Sequence, residues 1–447
     1  MGSNPTLSAR NGPVVTCAAC DCLTAVSATV ARVARRPSPE TVVRALTSFI
    51  TDPRAVGVAQ AGPRTVLFMV RSWSRTRSNE GPDEPVWPSA SLGLALQVLL
   101  DEVVLSAMRN PRLLPSPDDY VRAGNEIRAA WELWRREGWL DNPHAYHRNP
   151  PVPEQWRISR ERSFDQRYEH LSYLSEYDLH PGEPGRERWL GHESNRTAHA
   201  YVLRHAQPGG PWLVCVHGFG MGKPALDLRA FRAARLHWEL GVNLLFSVLP
   251  LHGVRQDPAV GEGLMSINLM DSLHGLAQAA CDVRAAVRWI RATAGDVPVG
   301  VHGISLGGYV AALVASLEDD LACAIAGIPA TDMPDLYRRH SSPGVRRQAA
   351  AAGALGPEAD AVHSVVSPLV LSPRLPKGRR YIYAGTGDRM STSNHARRLW
   401  DHWERPTMAW YPGGHIGFWW AGTVADFVAS ALAESGLTEP RRSEAVG

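Results

Sequence analysis

Short apolar runs bounded by Gly, Pro or Asp recur through the second half of the chain: Trp212–His217, Val242–Leu249, Val297–His302, Cys323–Ile328, Tyr381–Ala384 and Thr407–Tyr411. Runs this short, without polar alternation, fit strands buried on both faces. Between them apolar residues return at helical spacing. Leu276, Ala280, Val283, Val287 and Ile290 mark one face of a helix that leads into the Val297 run. From Leu306 small and apolar residues continue for several turns with no Pro. Apolar runs alternating with helices predict an α/β fold, a mostly parallel sheet with helices on both faces. Weaker strand alternation appears at His170–Tyr177 and Thr197–Leu203.

The first 150 residues carry a different pattern. Ser38-Pro39-Glu40 and Ser116-Pro117-Asp118 each place a capping residue, a proline and an acid where a helix begins. Val42, Val43, Leu46, Phe49 and Ile50 follow the first at helical spacing; Val121, Ile127, Ala130, Trp131 and Trp134 follow the second, which Gly138 closes. A third helix is expected over about Ser91 to Met108, and the loops between, such as Arg75 to Pro88, are rich in Pro, Arg and Ser. Residues 1–150 therefore read as a helical accessory region, either packed on the body or mediating a contact, and a candidate surface for homo-oligomers. Residues 151–194 read as a crossover with the first strands, and 195–436 as the α/β domain. About fifty residues separate Ile328 from Tyr381, more than a crossover needs, so 329–380 is expected to form a cap-like insertion holding a short helix near Gly344. The polar tail, 437–447, reads as flexible.

A chain of 447 residues is long for one domain, which agrees with two regions. An apolar share of 44% with 20% charged residues is that of an ordinary globular protein, and a net charge of +3 gives no case for nucleic acid. Lys223 and Lys377 are the only lysines among 47 basic side chains, a bias we read as codon usage. Cys215, Cys281 and Cys323 lie in apolar patterns and read as core residues. Cys17, Cys20 and Cys22 have metal-like spacing, but no second pair or nearby histidine completes four ligands, so no metal is assigned. No signal-like apolar segment opens the chain. The stretch Leu92 to Met108 is too short, and with Gln97, Asp101 and Glu102 too polar, to span a bilayer. A cytoplasmic protein is the expectation.

Candidate chemistry sits at the ends of the apolar runs. Gly303-Ile-Ser305-Leu-Gly307 joins a strand pattern to a helix pattern, the setting in which a serine is held out on a sharp turn. His217-Gly218-Phe219-Gly220 ends the Trp212 run, Gly385-Thr-Gly-Asp388 ends the Tyr381 run, and Gly413-Gly414-His415 follows the Thr407 run. Four motifs in this order resemble the α/β-hydrolase superfamily, its serine esterases and lipases in particular, over about residues 195–435.

The resemblance implies Ser305 as nucleophile, His415 as base and Asp388 as the acid that orients it, with the backbone N–H groups of Phe219 and Leu306 meeting the oxyanion. Taken alone, Asp388 is a turn residue. Asp332, after the preceding strand, is a rival acid; Asp388 is favoured by its place in the order Ser…Asp…His together with its Gly-x-Gly-Asp setting. His217, Gly218 and Gly220 are candidates for the substrate pocket, with His217 reading mainly as a support for its loop. His252 and Trp419 are candidates for the pocket entrance, against the plainer readings of a solvated loop histidine and a core anchor. A nucleotide loop at 218–223 is excluded, because His217 and Pro224 stand where a glycine and a hydroxyl residue are needed. The implied reaction is hydrolysis of a small acyl or hydrophobic ester, without cofactor. Peptidase, thioesterase and acyltransferase chemistry would use the same groups, and a non-catalytic binding role of the fold stays open.

Overall fold

The computed structural model describes residues 53–75, 87–108, 115–163, 166–257 and 263–439. The helix expected after Ser38, the cysteines Cys17, Cys20 and Cys22, and residues 440–447 of the tail lie outside them. Among the described residues, two long helices come first, α1 (Pro53–Arg75) and α2 (Leu92–Met108), and they pack on each other. Helix α3 (Pro117–Glu137) follows. Ser116 caps it by accepting the Asp119 N–H, and Gly138 closes it at φ 75°. The cap, the proline and the left-handed glycine are those the sequence pattern calls for.

Among the described residues, nine strands build one sheet: β1 (Trp156–Ser163), β2 (Gln166–Leu174), β3 (Thr197–Leu203), β4 (Trp212–Val216), β5 (Asn243–Val248), β6 (Val299–Ile304), β7 (Cys323–Gly327), β8 (Arg380–Gly385) and β9 (Thr407–Tyr411). Their spatial order is β1-β2-β3-β5-β4-β6-β7-β8-β9. The first three pair antiparallel, β3 also meets β5 antiparallel, and every pairing from β5 across to β9 is parallel. The order reverses at β4, whose successor lies on one side and β6 on the other. In open parallel sheets, the C-terminal ends of the strands at such a reversal form a crevice.

The central strands are fully buried, as unbroken apolar runs require. Helices cover both faces. On one lie α5 (Leu269–Ala294) and α6 (Leu306–Leu317), with Ile127 and Trp134 of α3 in the same core; on the other lie α4 (Pro224–Ala230) and α11 (Gly422–Glu434). Cys215 and Cys323 are buried thiols within it, and Cys281 is partly buried.

Strand β1 falls inside a stretch expected to be mostly crossover. Seven of its eight residues are exposed, so this edge strand carries no alternation to read. The segment after β7 holds more helix than expected: α7 (Met333–His340), α8 (Pro343–Ala351) and α9 (Pro357–His363), before β8, with α10 (Ser393–His402) after it. Helix α3 packs against α9, where the Trp134 indole N–H donates to the Val362 carbonyl at 3.1 Å. No helix among the described residues is long and apolar enough to cross a membrane.

Candidate active site

The turn from β6 into α6 holds Ser305 at φ 58°, ψ −113°, a conformation costly for any residue with a side chain. The turn is this tight because α6 starts against the sheet. A Cβ on Gly303 would stand 1.8 Å from the Gly307 carbonyl oxygen, so no side chain fits there. The Ser305 N–H donates to the Gly327 carbonyl at 2.9 Å and its carbonyl accepts from Tyr309 and Ala330, which locks the backbone while the side chain stays partly exposed.

The Ser305 hydroxyl lies 2.9 Å from Nε2 of His415. On the other side of the ring, Nδ1 lies 2.6 Å from Oδ2 of Asp388, so Nδ1–H donates to the carboxylate and Nε2 is left to accept from the serine. Asp388 is itself held by its turn. Its Oδ1 accepts the N–H groups of Met390 at 2.8 Å and Ser391 at 2.9 Å. The Ser391 hydroxyl, which donates to the Ile328 carbonyl at 3.0 Å, lies 3.2 Å from the same Nδ1. Burial works against charging His415, but the Asp388 carboxylate, the hydrogen bond to it and a second carboxylate, Asp101, outweigh that and raise the imidazole above the usual histidine range.

The loop after β4 borders the serine: a Cβ on Gly218 would lie 3.4 Å from Cβ of Ser305. The N–H groups of Phe219 and Leu306 donate to no backbone carbonyl among the described residues. Gly220 turns the loop at φ 75°. His217 is buried beneath it. Its Nδ1–H donates to the Gly218 carbonyl at 2.8 Å and its Nε2 accepts the Leu249 N–H at 3.0 Å, so both nitrogens are spent on backbone. Burial, with His252 adding to it, pushes its pKa down to about 3, and the ring is a neutral strut.

His252, expected in solvent or at an entrance, is 1% exposed. It donates to the Pro250 carbonyl at 2.8 Å, and its ring stands edge-on to Phe219 with centroids 5.4 Å apart. Trp419 is half-buried against the core beside α11, and its carbonyl accepts from Arg232 at 3.0 Å. Asp332 does not approach His415: it caps α7 by accepting the Asp335 N–H at 2.9 Å and pairs with Arg398. Asp101, on α2, is the residue that sequence reasoning missed. It is fully buried and accepts the His415 N–H at 2.6 Å. The available signal was a Gln-Asp-Glu group inside an otherwise apolar helix.

A mostly parallel sheet with this strand order, a strained serine at the end of β6, an acid after β8 and a histidine after β9 defines the α/β-hydrolase fold. The chain belongs to the family of Uncharacterized protein Rv2627c of Mycobacterium tuberculosis (strain ATCC 25618 / H37Rv), with 37% identity over 397 residues, 88% of this chain and 95% of that protein. Uncharacterized protein MT2702 of strain CDC 1551 / Oshkosh matches with the same identity and coverage. No protein-family model matches the chain.

Among solved structures, the chain is similar to an acetyl xylan esterase from Paenibacillus sp. R4, at 16% identity and TM-score 0.48 over 66% of this chain and 93% of that one. It is also similar to a Mycobacterium tuberculosis puromycin-hydrolyzing peptidase, at 16% identity and TM-score 0.39 over 66% of this chain and 41% of that one.

Proposed function

We propose that the protein is a serine hydrolase that cleaves carboxylic esters through an acyl-enzyme on Ser305. The observation that carries this reading is the unbroken relay from hydroxyl to imidazole to carboxylate, 2.9 Å and 2.6 Å long, at a strained serine. A serine hydroxyl is too weak a nucleophile without a base, and here Nε2 takes its proton as Oγ attacks the ester carbonyl. Asp388 keeps the ring in the tautomer that can do so and stabilises the imidazolium. The N–H groups of Phe219 and Leu306 receive the oxyanion; losing one such donor costs about 3 kcal/mol of transition-state stabilisation. His415 then gives the proton to the leaving alcohol, and water, activated by the same ring, releases the acid.

Helices α7–α9, within 329–380, form the cap in this reading, and Phe219, backed by His252, walls the acyl side. Two links support the assignment of the cap to the same end of the sheet as Ser305. Tyr309, one turn into α6, donates to the Val366 carbonyl at 2.8 Å, and Tyr337 of α7 donates to Ser272 of α5 at 2.8 Å. The test is a chromogenic short-chain ester assay on the wild type and Ser305→Ala, with fluorophosphonate labelling. Turnover and a Ser305 adduct are expected of the wild type alone. Undiminished turnover by the variant, or a folded wild type that never labels, would end the assignment and favour a binding role for the fold.

A further inference from the structure

The turn that carries His415 joins β9 to a short 3-10 helix, Ile416–Trp419. The N–H groups of Gly414, His415 and Ile416 donate to no backbone carbonyl among the described residues. Buried backbone donors need partners, and these find theirs on α2. Gln97 Oε1 accepts from Gly414 at 3.1 Å, Asp101 Oδ2 from His415 at 2.6 Å, and Asp101 Oδ1 from Ile416 at 3.1 Å. Oδ2 also accepts the Arg389 N–H at 3.1 Å, one residue beyond Asp388. One carboxylate thus ties the acid turn to the histidine turn. Its neighbour Glu102 adds a bond from the Arg389 guanidinium at 2.9 Å.

The fit is close in shape as well as in bonds. Leu94, Gln97, Val98 and Asp101 share one face of α2, at the spacing of successive helical turns. A Cβ on Gly414 would stand 2.7 Å from Asp101 Oδ2, one on Gly417 would stand 2.0 Å from Gln97 Oε1, and one on Gly387 would stand 2.6 Å from Leu94. The glycines on either side of His415 are what let this face of α2 reach the backbone.

We propose that Asp101 is a positioning residue for the Ser305–His415–Asp388 site, and that the α1–α2 pair is thereby part of the hydrolytic apparatus. The proposal rests on the hydrolase reading above. Asp101 does not reach the imidazole ring; it fixes where the ring's backbone sits, and through that the approach of Nε2 to Ser305. Errors of an ångström in such a contact are enough to slow catalysis substantially. A buried carboxylate is costly unless it is well bonded, and three backbone donors on two oxygens offset part of that cost. Burial and then the nearby Asp388 carboxylate push its own pKa up to about 7.

The second effect is electrostatic. His415 is faced by Asp388, Arg389 and Ser391 from the loop after β8, by Tyr411 at the end of β9, and by Asp101 with Glu102 behind it on α2, the latter 3.5 Å from Arg64 of α1. The two nearest carboxylates both favour the protonated ring. Because burial also raises the Asp101 carboxyl, its charge acts on His415 only above its own titration; removing it there lowers the pKa of His415 and moves the upper part of the acid limb to lower pH.

The experiment compares full-length wild type, Asp101→Asn, Asp101→Glu and Gln97→Met by ester turnover against pH and by fluorophosphonate labelling, with kcat counted per labelled site. Asp101→Asn is expected to lose about tenfold to a hundredfold in kcat, with KM within about twofold, and to shift its acid limb downward. Asp101→Glu, which keeps the charge, should restore the limb. An Asp101→Asn protein with wild-type kcat per labelled site and an unshifted limb would overturn the proposal, since a residue needed only for folding predicts that result. Should Asp101→Asn not fold, Gln97→Met carries the test. It removes one acceptor at constant volume, so a several-fold loss of kcat supports the proposal and wild-type kcat overturns it. Failure of the wild type to label would instead end the hydrolase reading, and this role with it.

Discussion

Gly307 lies so close to Val216 that a Cβ on it would come within 1.8 Å of the Val216 carbonyl oxygen, and within 2.6 Å of the next carbonyl, that of His217. Helix α6 begins pressed against the end of β4, and that contact brings the Ser305 turn and the 218–220 loop together. The neighbours are backbone on both counts, so nothing can rotate aside. Gly307→Ala is therefore expected to cost more than about 4 kcal/mol, or to prevent folding, by the overpacking route. Gly344, near the start of α8, meets only the Ser342 hydroxyl at 3.9 Å, and Gly344→Ala should be neutral or slightly stabilising. Denaturant melts of the two variants check the contrast. A mild Gly307→Ala would mean that the close approach is not required.

In the proposed reading, the histidine sets the pH dependence. His415 must be neutral to accept the serine proton, and its pKa is raised by Asp388 and Asp101 against the opposing effect of burial. A raised pKa keeps the ring protonated to higher pH. Turnover is therefore expected to rise only as pH passes above the ordinary histidine value of about 6.5. A kcat/KM profile measured from pH 5 to 9 reads this directly. An acid limb centred below pH 6 would contradict the electrostatic account, while leaving the serine assignment to its own test.

Two aspartates competed in the sequence for the role beside the base, and their surroundings now differ sharply. Asp388 lies 2.6 Å from the imidazole, whereas Asp332 is spent on the first turn of α7 and on Arg398. Asp388→Asn should reduce kcat by about ten thousandfold, the scale seen when such an acid loses control of the tautomer. Asp332→Asn should leave kcat within about twofold; asparagine caps a helix about as well as aspartate, so stability should change by less than about 1 kcal/mol, through loss of the partly exposed Arg398 pair. Steady-state kinetics and thermal melts of both proteins decide it. Equal losses of rate would reopen the choice.

What could be read from the sequence follows from burial. The strands β4 to β8 are inside a covered sheet, so water dictates their apolar runs, while β9 lies at the sheet edge and is only partly covered; the Gly-rich turns at the ends of these strands stand out by contrast. Ser305, Asp388 and His415 lie on those turns, which is why three distant motifs could be named before their approach was seen. Strand β1 was not legible because most of it faces solvent and no side is forced to be apolar. Asp101 was not legible for a related reason. A carboxylate in a helix normally marks the wet face, and only the folded position of the His415 turn gives this one a dry set of donors. The polarity that argued against a membrane span at Gln97, Asp101 and Glu102 was the trace of a contact more than 300 residues away in the chain.

Asp227, in α4 beneath the 218–222 loop, gives a prediction about stability rather than rate. It is 1% exposed; Oδ1 accepts the Gly222 N–H at 3.1 Å, and Oδ2 has no partner among the described residues. Burial, only partly offset by that bond, pushes its pKa up to about 8. The unfolded chain binds this proton only below about pH 4, so across pH 4 to 8 the folded state holds one proton more. Stability must then fall as pH rises through that window, by up to roughly 1.4 kcal/mol per unit from this group. Asp227→Asn cannot ionise and removes the slope. Other titrating groups cancel in the difference between the two proteins. The melting temperature of the variant relative to wild type is therefore expected to climb steadily from pH 5 to pH 8. A difference that stays constant over that range would show that Asp227 is ionised in the folded protein, and that the loop carries a charge where the geometry gives it a neutral acid.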